Sequence, residues 1–179
     1  MIHLARHGET DYNAERRFQG QNDVPLNARG LEQARELAAA AREVPFVALW
    51  ASPIRRARQT AEIVAEAIGL EPRFDARFAE HDVGRWQDRL FDDVAREEPE
   101  LWAAWQAAGE DWRFPGGESL GEHQERIVAG LVDVTQSLQL PALVVCHRGV
   151  IRSALCHTRN EGLDAYHEIT VPNGALVAL

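Results

Sequence analysis

Two uninterrupted apolar runs, Phe46 to Ala51 (FVALWA) and Ala142 to Cys146 (ALVVC), constrain this chain most. A strand with one face in water alternates apolar and polar residues, whereas a run without alternation must be covered on both faces. Segments with helical spacing supply the cover. Leu31, Ala34, Leu37, Ala38 and Ala41 form one apolar stripe. Ile54, Ala57, Ala61, Val64, Ala65 and Ile68 form a second, with Gly69 as its stop. Leu120, Ile127, Leu131, Val134 and Leu138 form a third. It opens on the capping-box pattern Ser119-Leu120-Gly121-Glu122, just after Pro115-Gly116-Gly117. Leu90 to Ala108 also reads as helical, with Pro99 interrupting it. Ile2 to Ala5 adds an N-terminal strand, and Val171 to Leu179 reads as a turn at Pro172-Asn173-Gly174 followed by a last strand. Strands alternating with helices predict an α/β fold, a three-layer α/β/α sandwich around a mostly parallel central sheet. No repeat, low-complexity stretch or Ser/Gly linker divides the chain. Residues 1–179 therefore read as one domain, with a helical excursion at about 88–118.

The ends of the predicted strands carry the chemistry. The first ends in Arg6-His7-Gly8, FVALWA in Ser52-Pro53-Ile54-Arg55-Arg56, and ALVVC in His147-Arg148-Gly149. In open α/β sheets ligands bind beyond the carboxyl ends of the strands. Gly8 permits a tight turn or the close approach of a ligand. Ser52-Pro53 reads as N-cap and first residue of a helix, which puts Arg56 in the first turn, where partial positive charge favours an anion. Taken singly, His7 is also compatible with a core histidine, Arg55, Arg56 and Arg58 with a solvated helix face, and His147 with a helix cap. Taken together they predict a pocket of guanidiniums and imidazoles for a phosphate, whose oxygens Arg matches bidentately.

Composition sharpens this. The net charge is −9, with no basic arm, which argues against a nucleic-acid partner. All 19 basic residues are Arg, so a phosphate-loop lysine and a Schiff-base lysine are excluded. The seven histidines show no zinc-helix spacing and the two cysteines no Cys-x-x-Cys, so no metal and no cofactor are expected. Cys146 and Cys156 read as reduced, buried residues. No signal peptide or membrane span is apparent, and a cytoplasmic protein is the default expectation.

With these motifs in place, the chain resembles the histidine phosphatase (phosphoglycerate mutase-like) superfamily over nearly its full length. Arg6-His7-Gly8-Glu9-Thr10 resembles its nucleophile motif, with Asn13 at the position of a phosphate-contacting Asn. Arg17-Phe18-Gln19-Gly20 and Gly30-Leu31-Glu32-Gln33-Ala34 follow in order, and the resemblance places Gln19 and Gly20 beside the phosphate. Ser52 to Ala61 is similar to the second-arginine motif, which singles out Arg56. Phe78 to Trp86 resembles the segment carrying the proton donor, which maps to Glu80. Pro115 to Ser119 and Val145 to Arg152 complete the set. Two positions depart. Arg148 stands where the family usually has Gly, which bears on substrate size and charge. Gln87-Asp88 replaces the usual Glu-Gly after Trp86, which bears on loop conformation.

The resemblance implies a metal-independent phosphomonoesterase acting on a small phosphorylated metabolite. Neutral His7 attacks phosphorus, Arg6, Arg56 and His147 hold the transferring oxygens with Asn13 assisting, and Glu80 protonates the leaving alkoxide. Glu9 and Asp82 are lesser candidates for that acid, and Glu80 is also compatible with an ordinary surface carboxylate. An α-ribazole-phosphate phosphatase is the near alternative. A phosphoglycerate mutase fits less well with so short a chain. A phospho-ligand-binding scaffold is the non-enzymatic alternative. Trp102, Trp105 and Trp112 place an aromatic segment where it either overhangs the pocket or packs on the sheet.

Overall fold

The ALVVC run forms β4 (Ala142–Cys146), and all five of its residues are buried. Its side chains divide between two cores. Ala142, Val144 and Cys146 join one apolar cluster, while Leu143 and Val145 join the other. This alternation of direction is what a strand covered on both faces requires. The structure, a computed structural model, describes residues 1–107 and 109–179. Around β4 lie β1 (Ile2–Arg6), β2 (Ala48–Ala51), β3 (Pro72–Phe74) and β5 (Leu176–Ala178), in the order β3-β2-β4-β1-β5. β1, β2 and β3 run parallel to their neighbours in the inner sheet, and β5 is antiparallel to β1 at the edge.

Helices α2 (Ala28–Ala41) and α3 (Arg55–Ile68) cover one face. Helices α6 (Leu120–Gln136) and α7 (Arg148–Thr158) cover the other. The three-layer α/β/α sandwich read from the sequence is the observed fold. The stripe of α2 buries Ala34, Leu37, Ala38 and Ala41, and α3 buries Ala57, Ala61 and Val64. Each fully buried side chain of valine or leucine size contributes about 1.5–3 kcal/mol. Gly69 ends α3 in the left-handed conformation, and Ser119 and Glu122 form the expected capping box at α6.

Some boundaries differ from the sequence expectation. Ser52-Pro53 does not cap α3. Ile54 holds the N-cap position without a side-chain bond, and the Ser52 hydroxyl accepts from Ile54 N–H at 3.3 Å and bonds to His147 Nε2 at 2.7 Å. Arg56 nonetheless lies in the first turn. Leu138 is 86% exposed, because α6 ends at Gln136 before the stripe reaches it. Val47 is exposed and precedes β2.

The segment beyond Leu90 is broken at Pro99 into α4 (Phe91–Glu97) and α5 (Pro99–Gln106), and Ala108 lies outside the described residues. Among the described residues its buried side chains lie apart from the two cores that flank the sheet. Phe18, Trp86, Trp105 and Phe114, with Phe91, Trp102 and Trp112, make a separate aromatic cluster. A short helix α1 (Asp11–Ala14) follows β1, capped reciprocally by Thr10 and Asn13.

Candidate active site

β2, β4 and β1 lie side by side with Ala51 opposite Val145 and Arg6 opposite Cys146. The pairing continues one residue further. His7 N–H donates to Cys146 O at 3.0 Å, and Ser52 N–H to Val145 O at 2.9 Å. His7, Ser52 and His147 therefore emerge together from one sheet edge. The three strand ends that the sequence singled out meet in space.

His7 is 2% exposed. Its Nδ1 lies 2.6 Å from the Gly8 carbonyl, which only accepts, so Nδ1 carries the proton. The lone pair is then on Nε2, to which Arg56 Nε donates at 3.3 Å. Burial and the charges of Arg56 and Arg6 hold the imidazole well below its usual pKa, so it is neutral at pH 7. The backbone carrying it is pinned by Gly8 N–H to Thr60 Oγ1 at 3.2 Å and Asn173 Nδ2 to the His7 carbonyl at 3.1 Å. Gly8 is also required by the packing of the backbone. A Cβ there would stand 2.2 Å from the Gly30 carbonyl, where α2 begins.

Arg56 is fixed by Nη1 to Asn22 O at 2.9 Å and Nη2 to Gly20 O at 2.7 Å. Gly20 thus orients a guanidinium through its carbonyl. Arg6 donates Nη1 to Val171 O at 2.6 Å, and its Nε has no protein partner among the described residues. Burial lowers Arg56 to about 10 and Arg6 to about 9, so both remain cations at pH 7. Gln19 Oε1 accepts from Thr10 Oγ1 at 2.8 Å. Asn13 Oδ1 accepts from Thr10 N–H and Asn173 Nδ2, at 3.1 and 3.2 Å. Arg6, His7, Asn13, Gln19, Gly20, Arg56 and Glu80 all line one cleft of about 370 Å³. His147 does not reach its surface. It is fully buried, 5.1 Å from His7 between ring centroids, with Nε2 bonded to Ser52 Oγ at 2.7 Å and Nδ1 without a partner among the described residues.

Glu80 comes from the opposite wall. Its carboxylate accepts from His81 N–H at 3.1 Å and Gly149 N–H at 3.2 Å. A Cβ at Gly149 would lie 2.2 Å from Glu80 Oε1, so the helix start has been kept bare for this carboxylate. Arg126 of α6 holds the loop behind it, donating to Arg77 O, Ala79 O and Glu80 O at 2.7, 2.8 and 3.1 Å. Glu118 pairs with Arg126 rather than with the cleft. Asp82 Oδ1 caps Gly84 N–H, and Glu9 accepts from Asn27. Glu80, His81 and His123 approach one another closely enough to suggest a metal. The two rings, however, stack at 3.4 Å with 27° between planes. Lone pairs in near-parallel planes do not converge as tetrahedral ligands do.

The profile of the histidine phosphatase superfamily (branch 1) matches residues 2–179. The chain belongs to that superfamily. A protein of Salmonella choleraesuis named a probable phosphoglycerate mutase, GpmB, is 38% identical over 94% of this chain and 78% of its own. A mycobacterial glucosyl-3-phosphoglycerate phosphatase, solved with VO3, superposes with a TM-score of 0.88 at 29% identity, covering 98% and 90% of the two chains. The α-ribazole phosphatase of Shigella flexneri gives 0.86 at 26% identity, covering 98% and 87%.

Several groups that shape this histidine phosphatase site were not singled out from the sequence. Asn173 sits in the predicted Pro172-Asn173-Gly174 turn. Only the antiparallel placement of β5 on β1 brings that turn beside His7. Thr60 lies one helical turn after Arg56 and accepts from Gly8. Ser52, read as a cap, instead holds His147. Arg126 carried no local signal, because its partners are main-chain carbonyls nearly fifty residues away. Among the described residues no helix is long and apolar enough to cross a membrane.

Proposed function

We propose that the protein is a metal-independent phosphomonoesterase that hydrolyses a small phosphorylated metabolite through a phosphohistidine on His7. The observation that carries this reading is the His7 ring. Its Nδ1–H is tied to Gly8 O, and its Nε2 lone pair faces the Arg56 guanidinium in a cationic cleft. A neutral imidazole beside two fixed cations is a nucleophile placed where an anion is attracted.

His7 Nε2 gives up its 3.3 Å contact with Arg56 Nε and uses the freed lone pair to attack phosphorus as the bond to the leaving oxygen breaks. Arg6 and Arg56 neutralise the equatorial oxygens and Asn13 adds its amide N–H, while His147, buried beneath the cleft surface, packs against the His7 ring at 5.1 Å between centroids. Glu80 gives its proton to the departing alkoxide. Its carboxylate then takes a proton from water, which attacks phosphorus and releases His7 as the neutral ring. The imidazole needs no deprotonation at pH 7, because burial among cations already keeps it neutral.

Phosphate release from p-nitrophenyl phosphate that persists in EDTA and disappears in His7→Ala is the expected result. Quenching turnover in alkali should retain a label on His7 that survives base and is lost on acid treatment. Full turnover in His7→Ala, or its loss in EDTA, would overturn the reading. The 38% identity to proteins named probable phosphoglycerate mutase favours a second reading, transfer of the phosphoryl group back to substrate. Assaying phosphoglycerate interconversion and phosphate release on one preparation separates the two. α-Ribazole phosphate belongs in the same substrate panel because of the likeness to the Shigella enzyme.

A further inference from the structure

Arg148 opens α7 at a position that does nothing for the helix. A helix N-terminus carries partial positive charge and favours acidic residues, so a guanidinium there opposes the dipole. Arg148 is partly buried, lines the cleft and makes no hydrogen bond or ion pair among the described residues. One helical turn on, Arg152 lines the same cleft. Arg152 is held in place by Nε to Ile169 O at 2.7 Å and by the Tyr166 ring, 5.2 Å from its guanidinium carbon. The two cations also act on Arg6, and Arg148 is the largest charge opposing that residue's protonation.

The cleft's charges do not balance with a phosphoryl group alone. A phosphoryl dianion is matched by Arg6 and Arg56. The proposed acid step requires Glu80 to enter with a proton, so on that reading it supplies no counter-charge. Of the other charged residues lining the cleft, Arg16 pairs with Asp92, Arg17 with Glu15, and Glu9 accepts from Asn27, so Arg148 and Arg152 remain without an ion-pair partner among the described residues. Like charges brought together in a partly buried site are unfavourable unless an anion joins them. From this arrangement we infer that Arg148 and Arg152 form a subsite for a second anionic group, a carboxylate or a second phosphate, carried on the leaving alcohol of the substrate. The subsite lies beside Gly149, whose N–H holds Glu80, so the second anion sits on the leaving-group side of the reacting phosphorus. The inference deepens the phosphomonoesterase reading and rests on its placement of the phosphoryl group.

The test uses equilibrium binding to the full chain carrying His7→Ala, which cannot turn substrate over. Glycerol 3-phosphate, 3-phosphoglycerate and glycerol 1,3-bisphosphate differ only at the end remote from the shared phosphate. A charge-assisted contact predicts at least a tenfold lower Kd for one of the two doubly anionic ligands than for glycerol 3-phosphate. Preference for 3-phosphoglycerate identifies a carboxylate site, and preference for the bisphosphate a phosphate site. Adding Arg148→Gln, which removes the charge and keeps a polar amide, should bring the ratio of Kd values below threefold. A ratio near one before that substitution, or a ratio that survives it, would overturn the subsite. The outcome is independent of the hydrolysis reading. Wild-type protein that releases no phosphate from any ester sinks the phosphatase, while the binding ratio decides the subsite.

Discussion

The two walls of the cleft are built differently. The phosphate wall, with Arg6, His7 and Arg56, hangs on the ends of parallel strands and the first turn of α3, locked by ladder and main-chain bonds. The leaving-group wall, with Glu80, Arg148 and the aromatic cluster around Trp105, is assembled from loops and helix starts held by side chains such as Arg126. On the proposed mechanism the first wall sets what every substrate must offer, a phosphoryl group. The second is not part of the sheet, and we propose that substrate choice is written there. The distinction is open to attack at each wall separately.

The largest expected effect falls on the loop wall. Glu80→Gln should lower kcat about 10²- to 10⁴-fold for an alkyl phosphate, the range for a lost general acid. For p-nitrophenyl phosphate, whose leaving group needs little protonation, the loss should be about tenfold or less. Equal losses on the two esters would place Glu80 in structure rather than in proton transfer. On the strand wall, Arg56→Ala should cost about 10²- to 10³-fold in kcat/KM, and the loss should be the same for both esters. A leaving-group dependence there would erase the division between the walls.

How much of this was legible beforehand follows the same division. The strand ends could be read because a continuous apolar run such as ALVVC announces a buried strand, and a parallel sheet delivers the next residue to one edge. Arg6, His7, Arg56 and His147 are each within a few residues of such a run. Glu80 carried no such signal, being a loop carboxylate identified only through family resemblance. Arg126 and Asn173 reach the site across long stretches of sequence, so local pattern could not show them. Gly8 has a further cause that the sequence could not show, since a Cβ there would clash with the backbone of α2. Ser52 was misread because a Ser-Pro pair before a helix looks like a cap, and only the pairing of β2 with β4 shows that its hydroxyl faces His147.

A smaller effect should come from the aromatic cluster. Trp105 is 7% exposed, packs against Phe18 and Phe114, and lines the cleft. Trp105→Leu removes ring contacts while keeping an apolar side chain, and should lower stability by about 2 kcal/mol in denaturant titration. Its kcat for p-nitrophenyl phosphate should stay within about threefold. A collapse of kcat would mean that the aromatic cluster positions the phosphate wall as well.

The smallest effect is a slope, and it tests whether the stacked pair behind Glu80 is neutral like the nucleophile. Burial drives His81 down to about 3 and His123 well below its usual value. Unfolding lets each ring return to about 6.5. Between the folded and unfolded values the unfolded chain binds the extra proton, so stability is fully present above about pH 6.5 and is lost as pH falls through that window. Each such histidine adds about 1.4 kcal/mol per pH unit to the decline. His123→Gln keeps a hydrogen-bonding group near Ser153 Oγ, the 3.1 Å partner of His123 Nδ1, but cannot take up that proton. Unfolding free energies measured between pH 5 and 6 should therefore fall less steeply in this variant, by about that amount per unit. An unchanged slope would mean that His123 is already protonated in the fold. Glu80 would then sit beside a cation at 3.8 Å, and the leaving-group wall would be charged in the opposite sense from the one its geometry implies.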